Sequence, residues 1–135
     1  MARPEWPLLA AWLLAAVLFA TGLGKALDVA GFARVLVEFR LFPVWAVEPL
    51  AVAVTLLELG LALALLVPAW RSRAAWAAVA LFLANAAVLS LTLLRGIDLV
   101  NCGCFGVFLA RPLRVFTPLE DIALALLGLF AVRAR

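Results

Sequence analysis

A chain of 135 residues is one domain by length, but 69% of its residues are hydrophobic and its mean hydropathy is +1.22, far outside the soluble globular range. Its 11 basic and 8 acidic residues gather between apolar runs, so the net charge of +3 marks membrane edges and gives no case for nucleic-acid binding. Histidine is absent, which removes the usual neutral-pH base and the commonest metal ligand, and two cysteines alone cannot complete a zinc or iron–sulfur site; no metal ligand set is predicted.

The first apolar run, residues 7–27, predicts a transmembrane helix of membrane-crossing length. A cleaved signal peptide competes, since Arg3 precedes the run. Against it, the run is long for a signal h-region and Gly22, Gly24 and Lys25 make a poor cleavage site. Over residues 29–42 the pattern changes: Phe32, Val35, Leu36, Phe39 and Phe42 recur at helical spacing while Arg34 and Glu38 share another face. This predicts a short amphipathic helix in the membrane interface, ended by Pro43, with an ordered loop as the alternative because the stretch contains Gly31. Further spans are predicted over residues 46–67 and 74–94, joined by the tight turn "PAWRSR", and a short one over residues 118–132. Thr117, Pro118 and Glu120 read as a capping box opening this last helix.

The expected fold is therefore all-α: one polytopic domain over residues 1–135, a bundle of four transmembrane helices with an interfacial helix between the first two. Arg71 and Arg73 in the tight turn and Arg133 and Arg135 at the C-terminus are the short basic flanks on which the positive-inside rule works best. They place both termini in the cytoplasm and the loop of residues 95–117 outside. Trp6, Trp70 and Trp76 then fall in the inner aromatic belt and Trp45 in the outer.

That loop carries "NCGCFG", with both cysteines of the chain. A disulfide between Cys102 and Cys104 is geometrically accessible but strained, Gly103 relaxes the backbone between them, and Gly106 frees the exit of the turn. Closing so small a loop adds little stability, so the spacing suits a redox switch better than a brace. Arg95, Arg111 and Arg114 would favour a thiolate, and Asp98 would oppose it. Two alternatives stand beside redox exchange: free thiols acting as small apolar side chains, and a metal carrier for an ion such as copper(I). Within the spans, Glu58 and Asn85 fall near mid-membrane, where ionisable groups are costly and become candidate sites by default. Asn85 is expected to donate to Glu58 and Lys25 to reach down to it from the end of the first helix. A proton or quinone role competes here with a packing clamp. Thr21, Gly22 and Gly24 form a small-residue face suited to close helix approach.

The segments "GLGKALDVAGFARVLVEFRLFP", "LLELGLALALL" and "DLVNCGCFG" together resemble the methylamine-utilisation MauE family within the wider DoxX-like membrane proteins. The resemblance implies a four-helix protein of the bacterial cytoplasmic membrane that serves a thioredoxin-like extracytoplasmic partner in disulfide formation or maturation of exported proteins. It implies Cys102 and Cys104 as the redox pair, Gly103, Phe105 and Gly106 as the residues shaping their turn, and Lys25 and Glu58 at the family's polar positions. One departure stands out: a basic residue is expected near the start of the last helix, where this chain has Glu120 and Asp121. The expected function is thiol–disulfide exchange, in a direction the sequence does not set, with no cofactor held by the chain itself and a membrane quinone near Lys25, Glu58 and Asn85 as the electron source or sink. A non-catalytic membrane assembly factor and a copper- or zinc-binding chaperone are the other function classes. They differ from exchange in what replacement of both cysteines, or metal analysis, would show.

Overall fold

The computed structural model describes residues 5–134 as five α-helices: α1 (Trp6–Ala26), α2 (Val29–Glu38), α3 (Val44–Leu66), α4 (Arg71–Leu94) and α5 (Phe116–Ala131). Three of them, α1, α3 and α4, are long and apolar enough to cross a membrane, which makes this a multi-pass membrane protein. Helix α5 has 16 residues, about 24 Å at the α-helical rise. Trp6, Trp45, Trp70 and Trp76 are all exposed, alongside many leucines that a soluble protein would bury.

The helix ends differ instructively from the sequence expectation. Helix α4 begins at Arg71 and so absorbs half of the expected tight turn. The reason is Arg71 itself, which is buried and donates from Nε to the carbonyl of Leu65 at 2.8 Å and from Nη2 to Leu66 at 3.2 Å. It satisfies carbonyls that the end of α3 would leave orphaned. The capping box expected before α5 does not form: the helix starts two residues earlier than that motif requires, and the Thr117 hydroxyl accepts from the Arg114 N–H at 3.0 Å while Glu120 pairs with Arg111. Helix α2 stops at Glu38, short of Pro43, because Arg40 turns left-handed at φ +54° and Arg95 donates to the carbonyls of Phe39 and Arg40. At its other end Asp28 caps it, accepting from the Gly31 N–H at 2.8 Å.

Packing divides the buried residues into two apolar clusters. One joins alanine-rich faces of α1, α3, α4 and α5, including Leu14, Leu18, Leu65, Ala75 and Phe82. Small side chains there let the helix backbones approach closely. The other joins α2 to the start of α3, the end of α4 and the cysteine loop, and includes Phe32, Val35, Leu36, Ala51, Leu89, Cys102 and Leu113. The apolar stripe of α2 is thus covered by protein. Its periodicity was readable, but the same stripe serves a core as well as it serves a bilayer surface. Helix α1 packs chiefly on α3, and α5 on α4, while α3 and α4 meet less extensively.

Candidate functional site

Between the two apolar clusters lies a layer of polar side chains at one level of the bundle. Thr21 and Lys25 of α1, Thr55 and Glu58 of α3, and Thr117 and Asp121 of α5 are all buried there, and α4 contributes Asn85. Lys25 Nζ stands 2.7 Å from both oxygens of Glu58, with side-chain exposures of 4% and 2%. Opposite charges buried this fully lower each other's desolvation cost by pairing. The Lys25 ammonium also lies over the Phe32 ring, 5.3 Å from its centroid. Asn85 makes no hydrogen bond to this pair; it instead lines the two cavities described below.

Gly22 and Gly24 divide the work expected of one small-residue face. A methyl on Gly22 would press within 2.9 Å of Leu59, so this glycine serves the α1–α3 contact. A methyl on Gly24 would strike the carbonyl oxygen of Phe105, so this one seats the cysteine loop on α1. From the loop side, Gly106 has φ +72° and a methyl there would strike the backbone of Gly24 and Lys25. The "CFG" turn and α1 therefore meet backbone to backbone.

Within the loop, Cys102 N–H donates to the Arg111 carbonyl at 2.8 Å and Leu113 N–H to Leu99 at 3.0 Å, which ties the incoming arm to the outgoing one. Asn101 then spans the turn: its amide donates to the Gly106 carbonyl at 3.0 Å and its Oδ1 accepts from the Gly103 N–H at 2.9 Å. Gly103, at φ +80°, lies against Phe32 and Val35 of α2. The outcome is two free thiols with their sulfurs 3.1 Å apart, Cys102 buried and Cys104 half-buried.

The sulfur–sulfur hydrogen bond is the largest influence on both thiols. It draws Cys102 down to about 6, with Arg111 helping against burial. It pushes Cys104 well above the ordinary thiol range, and burial and the charges of Cys102 and Asp121 add to the rise. Of the three flanking arginines, Arg111 is the one whose charge acts on Cys102; Arg95 is occupied at the end of α2 and Arg114 is exposed. Asp98 is exposed as well, and the carboxylate that opposes ionisation is Asp121. Asn101 and Asp121 carry no site role in the sequence reading. Their signals were the asparagine opening "NCGC" and the acidic pair where a basic residue was expected.

Cys104, Lys25 and Asn85 line two cavities. The larger, about 240 Å³, lies among α2, α3 and α4 and is walled by apolar side chains such as Leu36, Leu50, Val54, Leu81 and Val88, with Cys102 on its lining too. The smaller, about 70 Å³, mixes apolar walls such as Val17, Phe82 and Leu124 with the charged side chains of Glu58, Arg111, Glu120 and Asp121.

The profile of the family described as "Methylamine utilisation protein MauE" matches residues 4–134. The chain belongs to the MauE family. It is 33% identical to the methylamine utilization protein MauE of Methylophilus methylotrophus over 132 residues, covering 94% of this chain and 67% of that protein. Its identity to the MauE protein of Paracoccus denitrificans is 34% over 116 residues, covering 86% of this chain and 62% of that one. The chain thus spans about two thirds of the length of these relatives. No solved structure matches it.

Proposed function

We infer that this MauE-family chain is a membrane thiol–disulfide exchange protein whose Cys102/Cys104 pair trades electrons with a thioredoxin-like extracytoplasmic partner during disulfide formation or maturation of exported proteins. The observation that carries the reading is the pair itself: two sulfurs 3.1 Å apart, in a turn fixed by Asn101 and Gly103, with opposite acid strengths. In the oxidised chain a partner thiolate attacks Cys104, the more exposed residue of the two. The Cys102–Cys104 bond breaks, and its electron pair leaves on Cys102, the better thiolate and so the better leaving group. The partner's second thiol then attacks the partner sulfur of the mixed disulfide and expels Cys104, leaving the partner oxidised and the chain a dithiol.

In this reading α5 makes a fourth crossing by local thinning of the bilayer, α2 rests at the outer interface, the termini are cytoplasmic and the cysteine loop faces outward. A membrane quinone suits the larger cavity, which is apolar except for Lys25, Asn85 and the cysteines. Lys25 and Asn85 would hold the ring oxygens, and the quinone supplies a two-electron, two-proton acceptor.

Single-cysteine variants test the exchange. Cys102→Ser, which keeps Cys104, is expected to accumulate a reductant-sensitive adduct with the partner in cells; Cys104→Ser is expected to trap far less. Full function with both cysteines replaced by serine would favour an assembly factor. Stoichiometric copper(I) or zinc on the purified reduced chain would favour a metal chaperone.

A further inference from the structure

Exchange at this pair leaves a proton to be moved at Cys104, whose thiol holds it tightly. Asp121 and Cys104 both line the smaller cavity. It is 7% exposed, and its Oδ2 is the one buried side-chain nitrogen or oxygen without a hydrogen-bond partner among the described residues. The neighbouring charges are committed elsewhere: Lys25 to Glu58 at 2.7 Å, and Arg111 to Glu120 at 2.6 and 2.8 Å. Burying a carboxylate oxygen with no partner is costly, and at membrane depth such a group calls for a role. The cavity of about 70 Å³ that Asp121 and Cys104 both line has room for several waters, each needing roughly 10–15 Å³. A general acid or base works at hydrogen-bond reach or through one water.

We propose that Asp121 takes up and returns the proton of Cys104, through water in this cavity, whenever the Cys102–Cys104 disulfide closes or opens. The inference rests on the exchange reading above. On closing, Cys102 carries a mixed disulfide; Cys104 Sγ loses its proton to the Asp121 carboxylate and bonds to Cys102 Sγ. The bond from Cys102 to the outside sulfur breaks, and that sulfur leaves with the electron pair. On opening, Cys102 leaves first as its thiolate when the partner attacks Cys104; protonated Asp121 then returns the proton to Cys104, a poor leaving group without it, as the partner's second thiol expels it. The two electrons come from an outside dithiol on opening and go to an outside disulfide on closing, so no other reactant is needed.

The test uses the purified, fully reduced chain in detergent with excess dithiodipyridine, a small neutral disulfide that releases one coloured thione per step. The first thione comes from capture of Cys102, the second from attack by Cys104. Asp121→Asn is expected to leave the first phase within about twofold and to slow the second by roughly a hundredfold. A purely electrostatic or structural carboxylate predicts the reverse, because removing a negative charge beside Cys104 eases its ionisation and speeds the second phase. An unchanged or faster second phase, or equal slowing of both phases, overturns the proposal. Asp121→Ala gives an independent reading: formate, entering the enlarged cavity, is expected to restore its second phase, and failure to do so counts against the proton role. A chain with Asp121 intact that never releases the second thione refutes the exchange reading itself, and this inference with it.

Discussion

Replacing Lys25 by methionine leaves the Glu58 carboxylate at 2% side-chain exposure with neither of its two 2.7 Å contacts. Removing one member of a buried pair costs about 3–5 kcal/mol, because the other charge is stranded. Glu58→Leu strands the ammonium and is expected to cost a similar amount. The double variant Lys25→Met/Glu58→Leu removes both charges, keeps approximately the same volume, and is expected to return to within about 1 kcal/mol of the parent or to exceed it. The coupling between the two sites should then be at least about 3 kcal/mol. Equilibrium unfolding in detergent, followed by tryptophan fluorescence, measures all four corners of the cycle. A single variant costing less than about 1 kcal/mol, or a double variant as unstable as the sum of its parts, would refute the buried-pair argument. The double variant also separates packing from chemistry. It is expected to keep both thione-release phases but to lose quinone-dependent reoxidation, whereas a pair that only clamps the helices predicts that both survive.

Cys102 in the reduced chain should alkylate with a pH dependence centred near about 6, falling away at lower pH as the thiolate is protonated. Cys104→Ala removes the sulfur hydrogen bond, the main cause of the depression, and should move that midpoint upward; Arg111→Ala should move it upward by less. Gly96 and Gly106 form a controlled comparison, since both have positive φ but only Gly106 lies against another backbone. Gly96→Ala is expected to cost about 1–2 kcal/mol in unfolding experiments, the left-handed penalty alone, and Gly106→Ala about 1–3 kcal/mol more, with disturbed thiol reactivity. Labelling intact cells with a membrane-impermeant maleimide should reach the cysteines only after mild reduction; labelling that appears only after lysis would invert the proposed orientation.

Those parts of the site governed by a strong physical constraint were legible in the sequence. A lysine near the end of one apolar run and a glutamate in the middle of another must find partners, and Lys25 and Glu58 find each other. Glycines beside closely spaced cysteines announce a tight turn, and Gly103 and Gly106 both adopt positive φ. The three membrane-length helices α1, α3 and α4 followed from hydropathy to within a few residues. What escaped depended on competition between partners. Asn85 lost Glu58 to a closer cation, Thr117 bonded back to Arg114 and so opened no capping box, and Arg71, counted as a membrane-edge charge, is folded onto the end of α3. Asp121 could be flagged as an acid out of place, but its position beside Cys104 depends on how α5 packs against the loop, which periodicity does not encode.

The wall between α3 and α4 has a consequence for how affinity there must be measured. Its lining includes the exposed Ala84 and half-buried leucines and valines of two membrane-crossing helices, so an apolar occupant arrives sideways from the lipid. The relevant concentration is then its mole fraction in the bilayer. A dissociation constant quoted per litre of buffer would change with the amount of detergent or lipid in the tube while the protein stayed the same.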